Sequence, residues 1–139
     1  MDEVRLRLIE RGLERAAEGL GDVTQPVMAE FYARYPGARA SFAHHSPHRP
    51  ASLEAEMVGN TLYYVMSWFE NPIEARIAFD SSVPHHRVAL DVPPDWYRGM
   101  IEAFLAVVEP AAIADEADRE AWQVLREGLV GLVERNRFL

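Results

Sequence analysis

Residues 86–97 read His-Arg-Val-Ala-Leu-Asp-Val-Pro-Pro-Asp-Trp-Tyr. Pro93 and Pro94 make a rigid turn here, because proline fixes its own φ and drives the residue before it to extended backbone. A helix is expected from about residue 95 to about residue 109, with Trp96, Met100, Phe104 and Val107 along one side and Tyr97, Ile101 and Val108 widening it. On the other side of the turn, Ile73, Ile77 and Phe79 suggest a helix that Pro84 must bend or restart, since proline lacks the amide donor and clashes with the preceding turn. Farther back, residues 51–69 form a long helical pattern. Val58, Leu62, Val65 and Phe69 recur at intervals of four, three and four, Leu53 and Met57 extend the stripe upstream, and Asn71-Pro72 ends it.

The rest of the chain continues in this style. Leu6, Ile9, Leu13, Ala16, Ala17 and Leu20 mark a first helix stopped by Gly21. Thr24 or Asp22 caps a second, with Pro26 in its first turn and Val27, Met28, Phe31, Tyr32 and Tyr35 as its apolar face. A short helical turn over residues 36–42 leads into Ala-His-His-Ser-Pro-His-Arg-Pro at residues 43–50, whose histidines and prolines read as a loop. The last helix, over residues 118–136, carries Trp122, Leu125, Leu129, Leu132 and Val133. Residues 1–139 are thus expected to form one all-α domain of roughly six to eight helices, with no internal repeat, heptad register or linker.

Composition narrows the function. The chain carries a formal net charge of −8, which argues against a nonspecific nucleic-acid partner. Its 14 basic residues are all arginine, so neither a Schiff-base lysine nor a phosphate-loop lysine exists. Absence of cysteine removes disulfides, thiolate metal sites and thiol nucleophiles. No signal-peptide pattern and no membrane-length apolar run occur, which leads to the expectation of a cytoplasmic protein without a membrane partner.

The chemistry-bearing candidates are histidines. His44, His45 and His48 could share a structural metal, although a polar loop explains their grouping more simply. His85 and His86 precede an apolar stretch, so one imidazole can point into the bundle while the other faces water. Glu54 and Glu56 diverge on a helix and do not form an acid–base pair.

From His86 onward the sequence resembles the globin family, and the likeness extends over nearly the whole chain. Residues 86–97 are similar, without a gap, to the globin passage that runs from the proximal haem-ligating histidine through the following corner. In that resemblance Leu90 and Val92 match apolar haem contacts, Pro94 the proline opening the next helix, and Tyr97 the aromatic below the haem. The passage from Phe31 to Phe42 resembles the globin segment with a near-invariant proline and, six residues later, a phenylalanine against the haem face; Pro36 and Phe42 keep that interval. Met28 then matches a distal-pocket position.

The resemblance implies a globin-like three-over-three helical sandwich holding haem b, with His86 rather than His85 as the iron ligand. Met28, Tyr32, Phe42, Val58, Leu62, Leu90, Val92 and Tyr97 are the implied cofactor contacts. No histidine lies within residues 51–69, so the distal histidine of the family is missing. Aligning Val58 with the distal valine puts Glu54 at the ligand-facing polar position, turned towards solvent at the pocket mouth; other registers place Leu53 or Met57 there. Ser82, or a nearby carbonyl, is nominated to orient the His86 ring, and His44, His45, His48 and Arg49 to meet the propionates. The implied function is binding of a diatomic gas such as oxygen, served by an unidentified reductase, with oligomeric state open and enzymatic turnover not favoured. A haemless globin-fold regulatory or protein-interaction domain is the alternative; Ser82 and Pro84 are unusual so close to a ligand histidine.

Overall fold

The computed structural model describes residues 2–138. Its helices are α1 (Asp2–Leu20), α2 (Thr24–Arg34), α3 (Gly37–His45), α4 (Pro50–Ser67), α5 (Pro72–Leu90), α6 (Pro94–Ala112) and α7 (Glu116–Glu134). Among the described residues these seven helices contain all the regular structure, and there is no strand. The fold is therefore all-α.

Turn chemistry fixes the boundaries. Gly21, at φ +65°, ends α1 in the left-handed region that a side chain resists. The Asp22 carboxylate accepts from the Thr24 amide at 2.9 Å and organises the start of α2. Asn71 caps α5 through the Glu74 amide, and Asp115 caps α7 through the Asp118 amide. Asp91, at φ 55°, closes α5 in the left-handed conformation, and the Val92 amide returns to the His86 carbonyl at 2.8 Å. That reversal delivers Val92 and the proline pair to the head of α6.

α6 runs through the middle of the bundle and packs on α1, α2, α4, α5 and α7. Its Ala103, Phe104, Leu105 and Val108 are buried with Trp122, Leu125 and Leu129 of α7 and Ile9 of α1. Gly99 lets α6 lie directly against the Tyr35 ring, a space that a Cβ would have to share with the aromatic carbons. Ion pairs clamp α6 to α7 along one edge: Arg98 meets Glu102 and Glu134 at 2.9 Å each, and Arg126 meets Glu102 at 2.7 Å. Arg15 of α1 reaches the buried carboxylate of Asp118 at 2.8 Å, which ties the first helix to the start of the last.

Two local expectations need correction. Pro84 does not restart its helix, and α5 continues from Pro72 to Leu90. A proline removes one backbone hydrogen bond, while Phe79 and Val83 are anchored in the core just before it and caps hold both ends, so the helical path survives. The histidine-rich segment is also not a loop throughout. α3 continues through His44 and His45, and only residues 46–49 connect it to α4. The His45 Nε2 donates to the Leu90 carbonyl at 2.9 Å, so a tertiary bond to the end of α5 holds what composition alone marked as irregular.

Candidate functional site

The end of α5 and the start of α6 form one wall of an apolar cavity of about 350 Å3, and α4 forms the other. Phe79, Ser82, His86 and Leu90 project into it from successive turns of α5. Trp96, Tyr97, Met100 and Ile101 contribute from α6; Leu53, Met57, Asn60, Thr61 and Tyr64 line it from α4. Phe42 and His45 of α3 close one end. The volume falls within the range of roughly 300–1,000 Å3 common for cofactor and ligand sites.

His86 is the chemically distinctive group in this cavity. Its Nδ1 lies 2.7 Å from the Ser82 backbone carbonyl and 3.2 Å from the Ser82 hydroxyl. A carbonyl oxygen only accepts, so the short contact makes Nδ1 the donor and leaves the lone pair of a neutral imidazole on Nε2. Nε2 has no hydrogen-bond partner among the described residues. The ring is held edge-on to Tyr97, with centroids 5.2 Å apart and planes at 87°. The Tyr97 hydroxyl donates to the Ser82 Oγ at 3.1 Å, and burial pushes its ionisation above the ordinary phenol range. Ser82 is thereby fixed from one side while it fixes His86 on the other. His85, one residue earlier, is exposed on the outer face of α5.

The implied contact residues separate into two groups. Phe42, His86, Leu90, Val92 and Tyr97 come together around the cavity. Val58 instead turns into the core with Val65 and Phe69, and Met28 is buried in α2; neither lines the cavity. Leu62 faces a different concavity between α1 and α4. The Tyr32 hydroxyl donates to Glu54 at 2.7 Å, away from the cavity lining, with the Arg39 guanidinium 4.2 Å from the Tyr32 ring centroid. Glu54 is half-buried as the acceptor of that bond and does not reach the cavity.

On α4 the cavity-facing register is Leu53, Met57, Thr61 and Tyr64, one position ahead of the register built on Val58 and Leu62. One residue turns a helix by about 100°, enough to exchange its faces. The spacing of Leu53, Met57 and Tyr64 would have located this face, but the Val58 stripe is equally regular. Of the two hydroxyls on this wall, that of Thr61 donates to the Met57 carbonyl at 3.0 Å, so its proton is already engaged within the helix.

His44, His45 and His48 do not make a metal centre: among the described residues no three His, Cys, Asp or Glu side chains converge as metal ligands. His44 and His45 stack edge to face at 5.1 Å, with the latter committed to the Leu90 carbonyl. No helix among the described residues is long and apolar enough to cross a membrane.

Fold and cavity together define the class: among the described residues, an all-α seven-helix bundle with a mainly apolar pocket into which His86 presents an oriented imidazole. Comparison with known proteins adds no family to that description, since no protein-family model matches the chain and no curated protein or solved structure is significantly similar to it.

Proposed function

We propose that the chain is a globin-like haem protein that takes haem b in the cavity between α4 and the α5–α6 corner, with His86 Nε2 as axial ligand. One observation carries the reading: the 2.7 Å bond from His86 Nδ1 to the Ser82 carbonyl fixes the tautomer in which Nε2 can donate its lone pair to a metal. The residues present fit the group. Phe42, Leu90, Val92 and Tyr97 supply apolar contact, and Ser82 with Tyr97 restrains the imidazole against rotation. Haem bound there would supply an iron able to take a small neutral diatomic ligand such as oxygen.

The chain's own groups favour reversible binding over turnover. On the α4 wall Leu53 and Met57 are without hydrogen-bond donors, Thr61 is engaged, Asn60 offers a neutral amide, the Tyr64 hydroxyl is kept protonated by burial, and Glu54 is paired with Tyr32 outside the lining. Among the described residues α4 thus contributes no carboxylate or imidazole to the lining, the groups that peroxidase-type proton exchange needs. A separate reductase would maintain the ferrous state. The haemless regulatory or protein-interaction reading keeps the same helices but predicts no cofactor uptake.

Haemin titration followed by absorbance tests the proposal. Wild type and His85→Ala should saturate at one haemin per chain with a histidine-type spectrum, and His86→Ala should lose about a hundredfold in affinity, or about 2.7 kcal/mol. Lack of saturable uptake by the wild type would favour the haemless reading.

A further inference from the structure

A second concavity, of about 650 Å3, lies on the opposite side of α4 from the His86 cavity. Phe104 and Val108 of α6 contribute to its lining from the buried core. Leu13 and Ala17 of α1 line it from one side, and Leu62 and Met66 of α4 from the other. Met66 is 49% exposed and the neighbouring Tyr63 48%, unusual for large apolar groups that adjoin a core. The α1 residues along it extend from Leu6 to Ala17, roughly 16 Å at the helical rise of about 1.5 Å per residue.

Its charge is one-sided. Glu10 and Glu14 follow each other at i,i+4 on the α1 wall, and Glu70 and Glu74 border it at the α4–α5 corner. Glu74 accepts from the Tyr63 hydroxyl, whereas Glu10, Glu14 and Glu70 make no hydrogen bond or ion pair among the described residues. Carboxylates at i,i+4 repel by a few tenths of a kcal/mol, and a cation laid between the rows would offset that repulsion. No arginine lines the groove.

We infer that this groove docks a basic amphipathic helix from a partner protein. The apolar stripe of such a helix would cover Leu13, Leu62 and Met66, and Lys or Arg on either side of the stripe would meet Glu10 and Glu14 on one wall and Glu70 and Glu74 on the other. Length, apolar floor and two flanking anionic rows match that one geometry. The net charge of −8 would also speed encounter with a cationic partner. The inference is independent of haem, because the groove and the His86 cavity use different faces of α4.

The test uses a synthetic amphipathic peptide of about fifteen residues built from leucine and lysine, long enough to form a bound helix. Its leucine–glutamate counterpart is the control. In amide-resolved NMR titration the lysine peptide should saturate at one per chain and shift Leu13, Ala17, Met66 and Val108. Replacing Glu10, Glu14, Glu70 and Glu74 by Gln should weaken it at least about tenfold, while Glu116→Gln with Glu127→Gln stays within about twofold. The exposed single variant Met66→Lys should weaken it comparably and guards against misfolding of the quadruple variant. Shifts spread over the whole acidic surface, equal binding of the glutamate peptide, or unchanged affinity in the Gln and Lys variants would overturn the inference. So would concentration-dependent shifts of the groove without peptide, which would make a second copy of the chain the occupant.

Discussion

α4 serves two concave surfaces that differ in almost every physical respect. The face carrying Leu53, Met57, Thr61 and Tyr64 looks onto a mainly apolar cavity whose polar groups include imidazoles, hydroxyls and one amide, with no carboxylate. The face carrying Leu62, Tyr63 and Met66 looks onto a broader groove bordered by carboxylates. Between them Val58 and Val65 enter the core, 3% and 0% exposed. A single helix with apolar residues on three sides can thus support a pocket, a core and a docking face, and only the phase of each stripe distinguishes them. Burial with one oriented donor suits a small cofactor, whereas an open apolar floor with paired charges suits a larger cationic surface.

The largest effect that can break this comparison is loss of the imidazole. His86→Ala should lower haemin affinity about a hundredfold, equivalent to about 2.7 kcal/mol, with lysine-peptide binding at the groove unchanged. Haemin titration and peptide NMR on the same variant check both halves. A charge placed on each face of α4 should then separate them in opposite senses. Met57→Asp should cut haemin uptake about tenfold or more, because a carboxylate must be desolvated against the apolar wall, and should spare the groove. Met66→Asp should leave haemin uptake within about twofold of wild type.

A smaller effect concerns how His86 is held. Tyr97→Phe deletes the hydroxyl that donates to Ser82 at 3.1 Å and should reduce haemin affinity by about 0.5–1.5 kcal/mol, the usual worth of a neutral hydrogen bond. Ser82→Ala leaves the 2.7 Å carbonyl contact in place and should cost no more. A loss as large as that of His86→Ala would move the orienting role from the carbonyl to the side chain.

How much of this was legible in the sequence depends on which physical signal carried it. The helices were legible because apolar periodicity and stop signals such as Gly21 and Asn71-Pro72 act locally, although the capping of α5 by Asn71 was seen only in the structure. On the α5–α6 corner, Leu90, Val92 and Tyr97 were named through the resemblance that begins at His86, and they line the cavity with it. Ser82 was accessible as the residue one helical turn before the ring. The face of α4 was not, because its several apolar stripes have the same period and tertiary packing alone selects which meets His86. The anionic groove was equally hidden, since Glu10 and Glu70 are sixty residues apart and look in sequence like ordinary solvated charge. The extension of α3 depends on a bond between His45 and Leu90, a contact that composition cannot express.

The smallest expected effect lies on a third aspect of α4. Burial, and then the Glu54 bond, raise the ionisation of Tyr32 above the ordinary phenol range. Its folded value is above its unfolded one, so its stabilising contribution is complete below about pH 10 and is lost as pH rises from there through the folded value. Tyr32→Phe should therefore remove the last tyrosinate step in an alkaline absorbance titration and flatten the alkaline decline in stability, leaving both concave surfaces intact.

The most direct measurement of the central claim is the low-frequency resonance Raman spectrum of the ferrous haem-loaded chain, which reports the bond between iron and an imidazole nitrogen. The wild type and His85→Ala should give the same iron–histidine band, Ser82→Ala and Tyr97→Phe should displace it slightly through the restrained ring, and His86→Ala should lack it. Persistence of that band in His86→Ala, or its disappearance in His85→Ala, would contradict the assignment of His86 as the axial ligand.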